Sequence, residues 1–161
     1  MRSNSSVINV HKKKNIKSEI VTQLLYGDTF KKIKKNGTWI KIKNDTDNYK
    51  GYIKNKNFQP NQKNTHKVCN LSAALYSKPH SKYKIKNKLS FESKIKVLEK
   101  KGDFYKFDHL WIKKRDIKKI NVITKDPFHN IIKFINVKYK WGGKHFSGID
   151  CSWLIQLFFN Y

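Results

Sequence analysis

Arginine is almost absent from this chain, although its charge is strongly positive. Only Arg2 and Arg115 are arginines, and lysine supplies nearly all of the formal net charge of +25 at pH 7. Proteins that read bases and phosphates rely on the bidentate fork of arginine. We therefore interpret most lysines as a solvated surface and do not expect nucleic acid to be the partner. Attraction to other polyanions, cell-wall polymers included, stays open.

Cysteines and long apolar runs are also scarce. Cys69 and Cys151 form no CxxC pair and no metal-ligand spacing, so the sequence predicts no disulfide framework, no metal site and no cofactor. No segment approaches the ~18 apolar residues of a membrane span, and residues 1–6 do not resemble a secretion signal. We expect a cytoplasmic monomer without membrane contact, or a periplasmic or wall-associated protein if the true start lies upstream.

The hydrophobic content favours several small modules over one large core. Hydrophobic residues make up 38% of the 161 residues, below the ~45–50% of ordinary globular domains. Residues 7–58 carry short alternating segments, and Asn36-Gly37 between two of them is a strong hairpin signal. Residues 59–67 are polar and contain Pro60, which predicts a linker.

The next segment repeats the first. Residues 100–107, Lys-Lys-Gly-Asp-Phe-Tyr-Lys-Phe, align with residues 35–42, Lys-Asn-Gly-Thr-Trp-Ile-Lys-Ile, and residues 110–113 align with 51–54. Internal repetition indicates two copies of one module. The sequence thus predicts two small β-barrels, over residues 1–58 and 68–117, and a mainly β fold class.

Residues 118–161 predict two helices joined by a glycine-rich turn. Asp126-Pro127 is typical of a helix start, and a second helix is expected from about Asp150. Each helix has apolar residues at i, i+3, i+4 and i+7: Phe128, Ile131, Ile132 and Ile135 in the first, and Cys151, Leu154, Ile155 and Phe158 in the second.

Cys151 is the candidate nucleophile. A thiol in the first helical turn faces backbone N–H groups that favour a thiolate, and Gly142, Gly143 and Gly148 let a substrate backbone come close. The alternative from the residues alone is a buried core thiol on an apolar face. No histidine follows Cys151, and His145 is interpreted as a surface loop residue rather than a general base.

The segment around Cys151 resembles the nucleophile segment of the NlpC-type cell-wall peptidases, which are papain-like bacterial cysteine peptidases. The matching pattern is Tyr139-x-Trp141-Gly142-Gly143, then Gly148-x-Asp150-Cys151-Ser152-x-Leu154 and Gln156. The two preceding modules resemble bacterial SH3-type domains, an arrangement known in this family. The resemblance implies two SH3-like barrels followed by an α+β papain-like catalytic domain, cut short after the nucleophile helix.

The resemblance also implies roles. Cys151 would attack the amide between D-glutamate and a diamino acid in peptidoglycan stem peptides, and Tyr139 would help to stabilise the oxyanion. Asp150 and Ser152 would bind the free amine of the N-terminal L-alanine. From the residues alone, Asp150 is equally a helix N-cap, Ser152 a first-turn residue and Tyr139 a packing aromatic.

Two departures limit this expectation. Trp153 stands where the family has glycine, and an indole is hard to fit there. The family's histidine and its polar partner lie downstream, on strands that this sequence lacks. We therefore expect a fragment with little or no peptidase activity alone. The alternative is non-catalytic binding of cell-wall peptides or of a protein by the SH3-type domains.

Overall fold

The first β-unit, residues 1–58, is one antiparallel sheet wrapped around its own core. The computed structural model describes residues 1–122 and 127–159. The strands of the first β-unit are β1 (Val7–His11), β2 (Ile20–Leu25), β3 (Phe30–Asn36), β4 (Trp39–Asn44) and β5 (Lys50–Lys54). They lie in the sheet order β2-β1-β5-β4-β3. The predicted Asn36-Gly37 hairpin is confirmed, since it joins β3 to β4. The core consists of Val10, Leu24, Phe30, Ile40, Ile42, Ile53 and Phe58.

The second β-unit, residues 65–119, repeats this topology. Its strands are β6 (His66–Val68), β7 (Ser72–Tyr76), β8 (Lys84–Ser90), β9 (Lys94–Ile95), β10 (Glu99–Lys101), β11 (Phe104–Phe107), β12 (Leu110–Lys113) and β13 (Ile117–Lys119), with 3-10 turns at Ser81–Tyr83 and Lys114–Asp116. The five-stranded sheet β10-β11-β12-β7-β8 has the strand order of the first unit, and β13-β6-β9 form a second sheet. The repeat in the sequence is therefore a repeat in topology.

The two β-units share a buried junction. Tyr26, which follows β2, packs in the core of the second unit, with its ring edge-on to Phe107 at 5.5 Å between centroids. Its hydroxyl donates to the Asp108 carboxylate, and Arg2 Nη2 donates to Asp108 Oδ1 over 2.9 Å. Burial and the adjacent Asp108 raise the pKa of Tyr26, so that its hydroxyl stays a donor. These contacts fix one unit on the other.

The prediction of an α+β catalytic domain with two helices is wrong. After residue 122 the described residues form a 3-10 helix (Pro127–Phe134), two short strands, β14 (Lys144–His145) and β15 (Gly148–Ile149), and helix α1 (Cys151–Phe159). Among the described residues α1 is the only α-helix. The glycine-rich turn is a two-stranded ribbon. Asp126, the predicted N-cap, lies outside the described residues.

The expected apolar face of the first helix fails because the period is wrong. A 3-10 helix has three residues per turn, so Ile131, Phe134 and Val137 share a side. Among the apolar residues 131–137 these three are the partly or fully buried ones. Val137 lies just past the helix, and its N–H donates to Phe134 O over 2.9 Å. Ile132 and Ile135, predicted to face the core, are 67% and 71% exposed.

The C-terminal segment, residues 127–159, docks between the two β-units through a third core. This core joins Leu25 of the first unit to Phe91 of the second, together with Phe134, Ile149, Trp153 and Leu157. Trp153 is 5% exposed. The indole that we expected to be hard to fit is therefore a central packing residue, and it ties the three parts of the chain together.

Truncating Trp153 should release the C-terminal segment. We expect Trp153→Ala to weaken its docking by about 3–5 kcal/mol, the usual cost of removing a core indole. Limited proteolysis would then cut residues 127–159 quickly while both β-units survive. Trp141→Ala is the matched control, because Trp141 is 62% exposed. Equal protease resistance of the two variants would contradict the third core.

Candidate active site

Cys151 is the first residue of α1 and is exposed. The preceding Asp150 caps the helix: its Oδ1 accepts hydrogen bonds from Trp153 N (2.6 Å) and from Ser152 Oγ (2.8 Å). The interpretation of Asp150 as an N-cap is therefore confirmed, and Ser152 is a first-turn residue bonded to the cap. The thiol thus stands at the junction between β15 and a capped helix.

A cavity of about 200 Å³ lies beside the thiol. All four residues predicted for the site line it, in company with three residues of the first β-unit. Its walls are Glu19, Val21, Tyr49, Tyr139, Trp141, Gly142, Asp150, Cys151 and Ser152. A second, mainly apolar groove of about 390 Å³ runs along the other side of Tyr139 and Cys151 toward Ile131 and Ile135. The thiol is open to both.

Both charged residues that line the first cavity are acidic, and one of them, Glu19, is paired with Lys12 at 2.7 Å between Lys12 Nζ and Glu19 Oε2. Glu19 and Asp150 are its two charged residues, and no lysine or arginine lines it. A hydrogen bond from Lys12 lowers the pKa of Glu19, so that the carboxylate is ionised at neutral pH. Trp141 Nε1 donates to Glu19 Oε1 over 3.2 Å. Two carboxylates and a hydroxyl make this cavity suited to an ammonium group.

Buried polar contacts hold the nucleophile segment on the first β-unit. Gln23 Oε1, on β2, accepts from the backbone N–H groups of Lys144 (2.8 Å) and His145 (3.2 Å), while Gln23 Nε2 donates to Asn9 Oδ1 (2.8 Å). Lys144 Nζ pairs with Asp47 Oδ2 at 2.5 Å, with the two side chains 4% and 1% exposed. The docking is therefore specific in position, since these buried polar groups are satisfied only when the two sides lie together.

Close backbone contact adds to this docking. Gly142 has φ +65°, and a Cβ there would lie 2.5 Å from the carbonyl oxygen of Ile20 in β2. Only glycine fits such a conformation against another backbone. On β14, which follows this loop, Lys144 Nζ lies 4.9 Å from the ring centre of Trp153. The loop that contains Gly142 is thus packed between β2 and α1.

Among the described residues, no histidine lines either of the two cavities that reach Cys151. His145, on β14, is hydrogen-bonded to Ser147 Oγ at 2.8 Å and stacks on Phe146. Burial, helped by Lys140, lowers the pKa of His145, so its ring is neutral at pH 7. His145 is therefore half-buried on a strand, whereas the sequence interpretation placed it on a surface loop.

Within the described ranges, no group of three or more histidine, cysteine or acidic residues is arranged to hold a metal ion. In the same part of the chain, no helix is long and apolar enough to cross a membrane. The residues that line the first cavity offer a thiol, two carboxylates and hydroxyl groups.

Sequence reasoning missed the contribution of the first β-unit. Glu19, Val21 and Tyr49 lie 102 to 132 residues before Cys151, and no local pattern marks them as its neighbours. Lys144 was counted with the solvated lysines, yet it is buried. The docking of the units brings these residues to the thiol, and local sequence patterns do not predict that docking.

Comparison with known proteins is consistent with this architecture. Residues 5–59 match the family model described as a bacterial SH3 domain, and no curated protein matches the chain. Four solved chains are similar to it. One is the crystal structure of an NlpC/P60 family protein from Bacillus cereus ATCC 10987. It has a TM-score of 0.81 and 17% sequence identity over 99% of this chain and 71% of that chain.

These matches support a bacterial SH3 domain together with an NlpC/P60-like fold. At 17% identity the structural likeness shows the fold alone.

The two thiols should differ in reactivity. Cys69 is half-buried, and burial raises the pKa of its thiol, which lowers its thiolate fraction at pH 8. Cys151 is exposed at a helix N-terminus. We expect iodoacetamide to modify Cys151 about tenfold faster or more, as followed by peptide mass mapping, with Cys69→Ala as control. Equal rates, or faster labelling of Cys69, would contradict the geometry.

Breaking the buried ion pair should loosen the site. Lys144→Met leaves the Asp47 carboxylate buried without its cation, and we expect a loss of about 3–5 kcal/mol in the free energy of unfolding. Asp47→Asn in the same chain removes that charge and should recover much of the loss. Denaturant titration of the single and double variants measures this; a single variant as stable as the parent would rule out a structural role for the pair.

Proposed function

We propose that the chain acts on peptidoglycan stem peptides as the nucleophile-bearing part of a cysteine peptidase. One observation carries this proposal: an exposed thiol at a capped helix N-terminus opens into a cavity whose charged groups are both carboxylates. Such a cavity favours a peptide with a free N-terminal amine over a blocked one. The likeness in fold to an NlpC/P60 family protein is in keeping with a role at the cell wall.

In this proposal each end of the substrate has its own place in the cavity. The ammonium group of an N-terminal L-alanine would lie between Glu19 and Asp150, with Ser152 as a hydroxyl acceptor. The γ-amide between D-glutamate and the diamino acid would then reach the sulfur of Cys151. Tyr49, from the first β-unit, borders the same cavity and would limit the width of the peptide that enters.

The residues at hand support the first step of amide hydrolysis. The sulfur of Cys151 attacks the carbonyl carbon, and the developing oxyanion is met by the free backbone N–H of the first helical turn and by the hydroxyl of Tyr139. The departing amine needs a proton from a general acid. Since no described histidine borders the thiol, we expect acylation by this polypeptide to be slow.

Binding without hydrolysis is the second candidate function, favoured by the same lack of a described base beside Cys151. Incubation with L-Ala-γ-D-Glu-diaminopimelate separates the two. Brisk turnover that iodoacetamide abolishes would establish the peptidase and exclude mere binding. Binding of the peptide without any turnover would favour a binding module.

Peptide binding itself should depend on the free amine. We expect L-Ala-γ-D-Glu-diaminopimelate to bind about tenfold more tightly than its N-acetylated form, because acetylation removes the ammonium group that the two carboxylates favour. Isothermal calorimetry measures both affinities.

Glu19→Gln is the matched variant, since it keeps an oxygen that accepts the Trp141 hydrogen bond but removes the charge. Glu19 lies outside the helix cap, so this variant should reduce the preference for the free amine without unfolding the site. Equal affinity for the two peptides in the parent chain would refute the proposed function.

A further inference from the structure

Lysines face one another directly across the outer sheet of the first β-unit. The strand register places Lys31 of β3 opposite Lys43 of β4, and Lys43 opposite Lys50 of β5. One row further, Lys34 of β3 lies opposite Lys41 of β4. Positive charges directly opposite each other on one face destabilise a sheet. This face therefore works against the stability of its own fold.

The face is continuous, and its three strands carry no negative charge. Ile40, Ile42 and Ile53 alternate with these positions and are buried, so the lysines share the outer side of the sheet. Lys54 extends the face beside Trp39, its Nζ 4.6 Å from the indole centre. Strands β3 to β5 contain no acidic residue. In the described part of the chain, none of the six lysines forms an ion pair.

The second β-unit shows that the fold does not require this arrangement. At the corresponding place, Glu99 of β10 lies opposite Lys106 of β11, and Lys106 Nζ is 3.3 Å from Glu99 Oε2. The strand order is the same in both units. One copy of the module thus pairs opposite charges where the other places Lys34 against Lys41. At this position in the module, the like-charge pair belongs to the first unit alone.

The spacing of the rows suits a linear polyanion. Successive rows on one face of a sheet are two residues apart, about 6.8 Å, and neighbouring strands are about 4.8 Å apart. A polyol phosphodiester with six backbone bonds per repeat extends by roughly 7 Å per phosphate, as two peptide repeats do. One phosphate per row would therefore meet three lysines in the first row and two in the second, and relieve their repulsion.

We propose that the lysine face, Lys31, Lys34, Lys41, Lys43, Lys50 and Lys54, binds a linear polyol phosphodiester polymer of the cell wall. The choice of a wall polymer rests on the proposed function. The absence of arginine from the face separates it from the bidentate readers of nucleic acid. Lys50 follows Tyr49 of the cavity in sequence, so polymer binding would hold the cavity beside the wall.

The test uses the full chain and a fluorescent glycerol phosphate hexamer, with binding followed by anisotropy between about 50 and 300 mM salt. Lys34→Glu installs the charge pairing of the second unit. We expect it to weaken binding about five- to tenfold and to flatten the salt dependence, while raising Tm by about 1–3 °C because the new carboxylate would face Lys41. Lys86→Glu, an exposed position on β8, changes the net charge equally and should leave affinity within about twofold.

Two results would overturn the proposal. Equal weakening by both variants would show a diffuse effect of net charge. A thymidine oligonucleotide with the same number of phosphates that binds as tightly as the glycerol phosphate hexamer would point to nucleic acid. Lys34→Gln repeats the test without a new acidic group, should Lys34→Glu fold poorly. Preference for the free-amine peptide does not involve this face, so its failure and failure of polymer binding are separate outcomes.

Discussion

The buried contact between Lys144 and Asp47 is the constraint on which the candidate site depends. A lysine that is 5% exposed is tolerated only where a counter-charge and hydrogen bonds meet it. That condition holds only when the loop after β4 lies against β14. The same docking brings Glu19 and Tyr49 to the cavity beside Cys151. The site is therefore composite, and the first β-unit forms part of its wall rather than a tethered neighbour.

The local features of the fold could be predicted from the sequence. Asn36-Gly37 specifies a hairpin through its turn conformation, and the repeat between residues 35–42 and 100–107 corresponds to one topology used twice. Asp150 was expected as a helix cap, and it accepts the Trp153 amide. In each case the information is carried by residues close in sequence, whose conformational preferences decide the structure.

The features set by docking could not be predicted. Lysine is rarely buried, so nothing in the sequence distinguished Lys144 from its many exposed counterparts. Apolar spacing over residues 128–135 fits both 3-10 and α periods over so short a run, and burial of Phe134 against the β-units shows which one applies. Trp153 looked too large for its position because the core it fills is made by two other parts of the chain.

Hydrogen exchange at the amides of Lys144 and His145 tests the account most directly. Both donate to the Gln23 side chain across the junction, and Gln23 lies on β2, outside their own ribbon. We predict protection comparable to that of the amides paired between β1 and β2. Exchange as fast as in an unfolded peptide, with the β1 and β2 amides still protected, would show that the nucleophile segment is not held on the first β-unit.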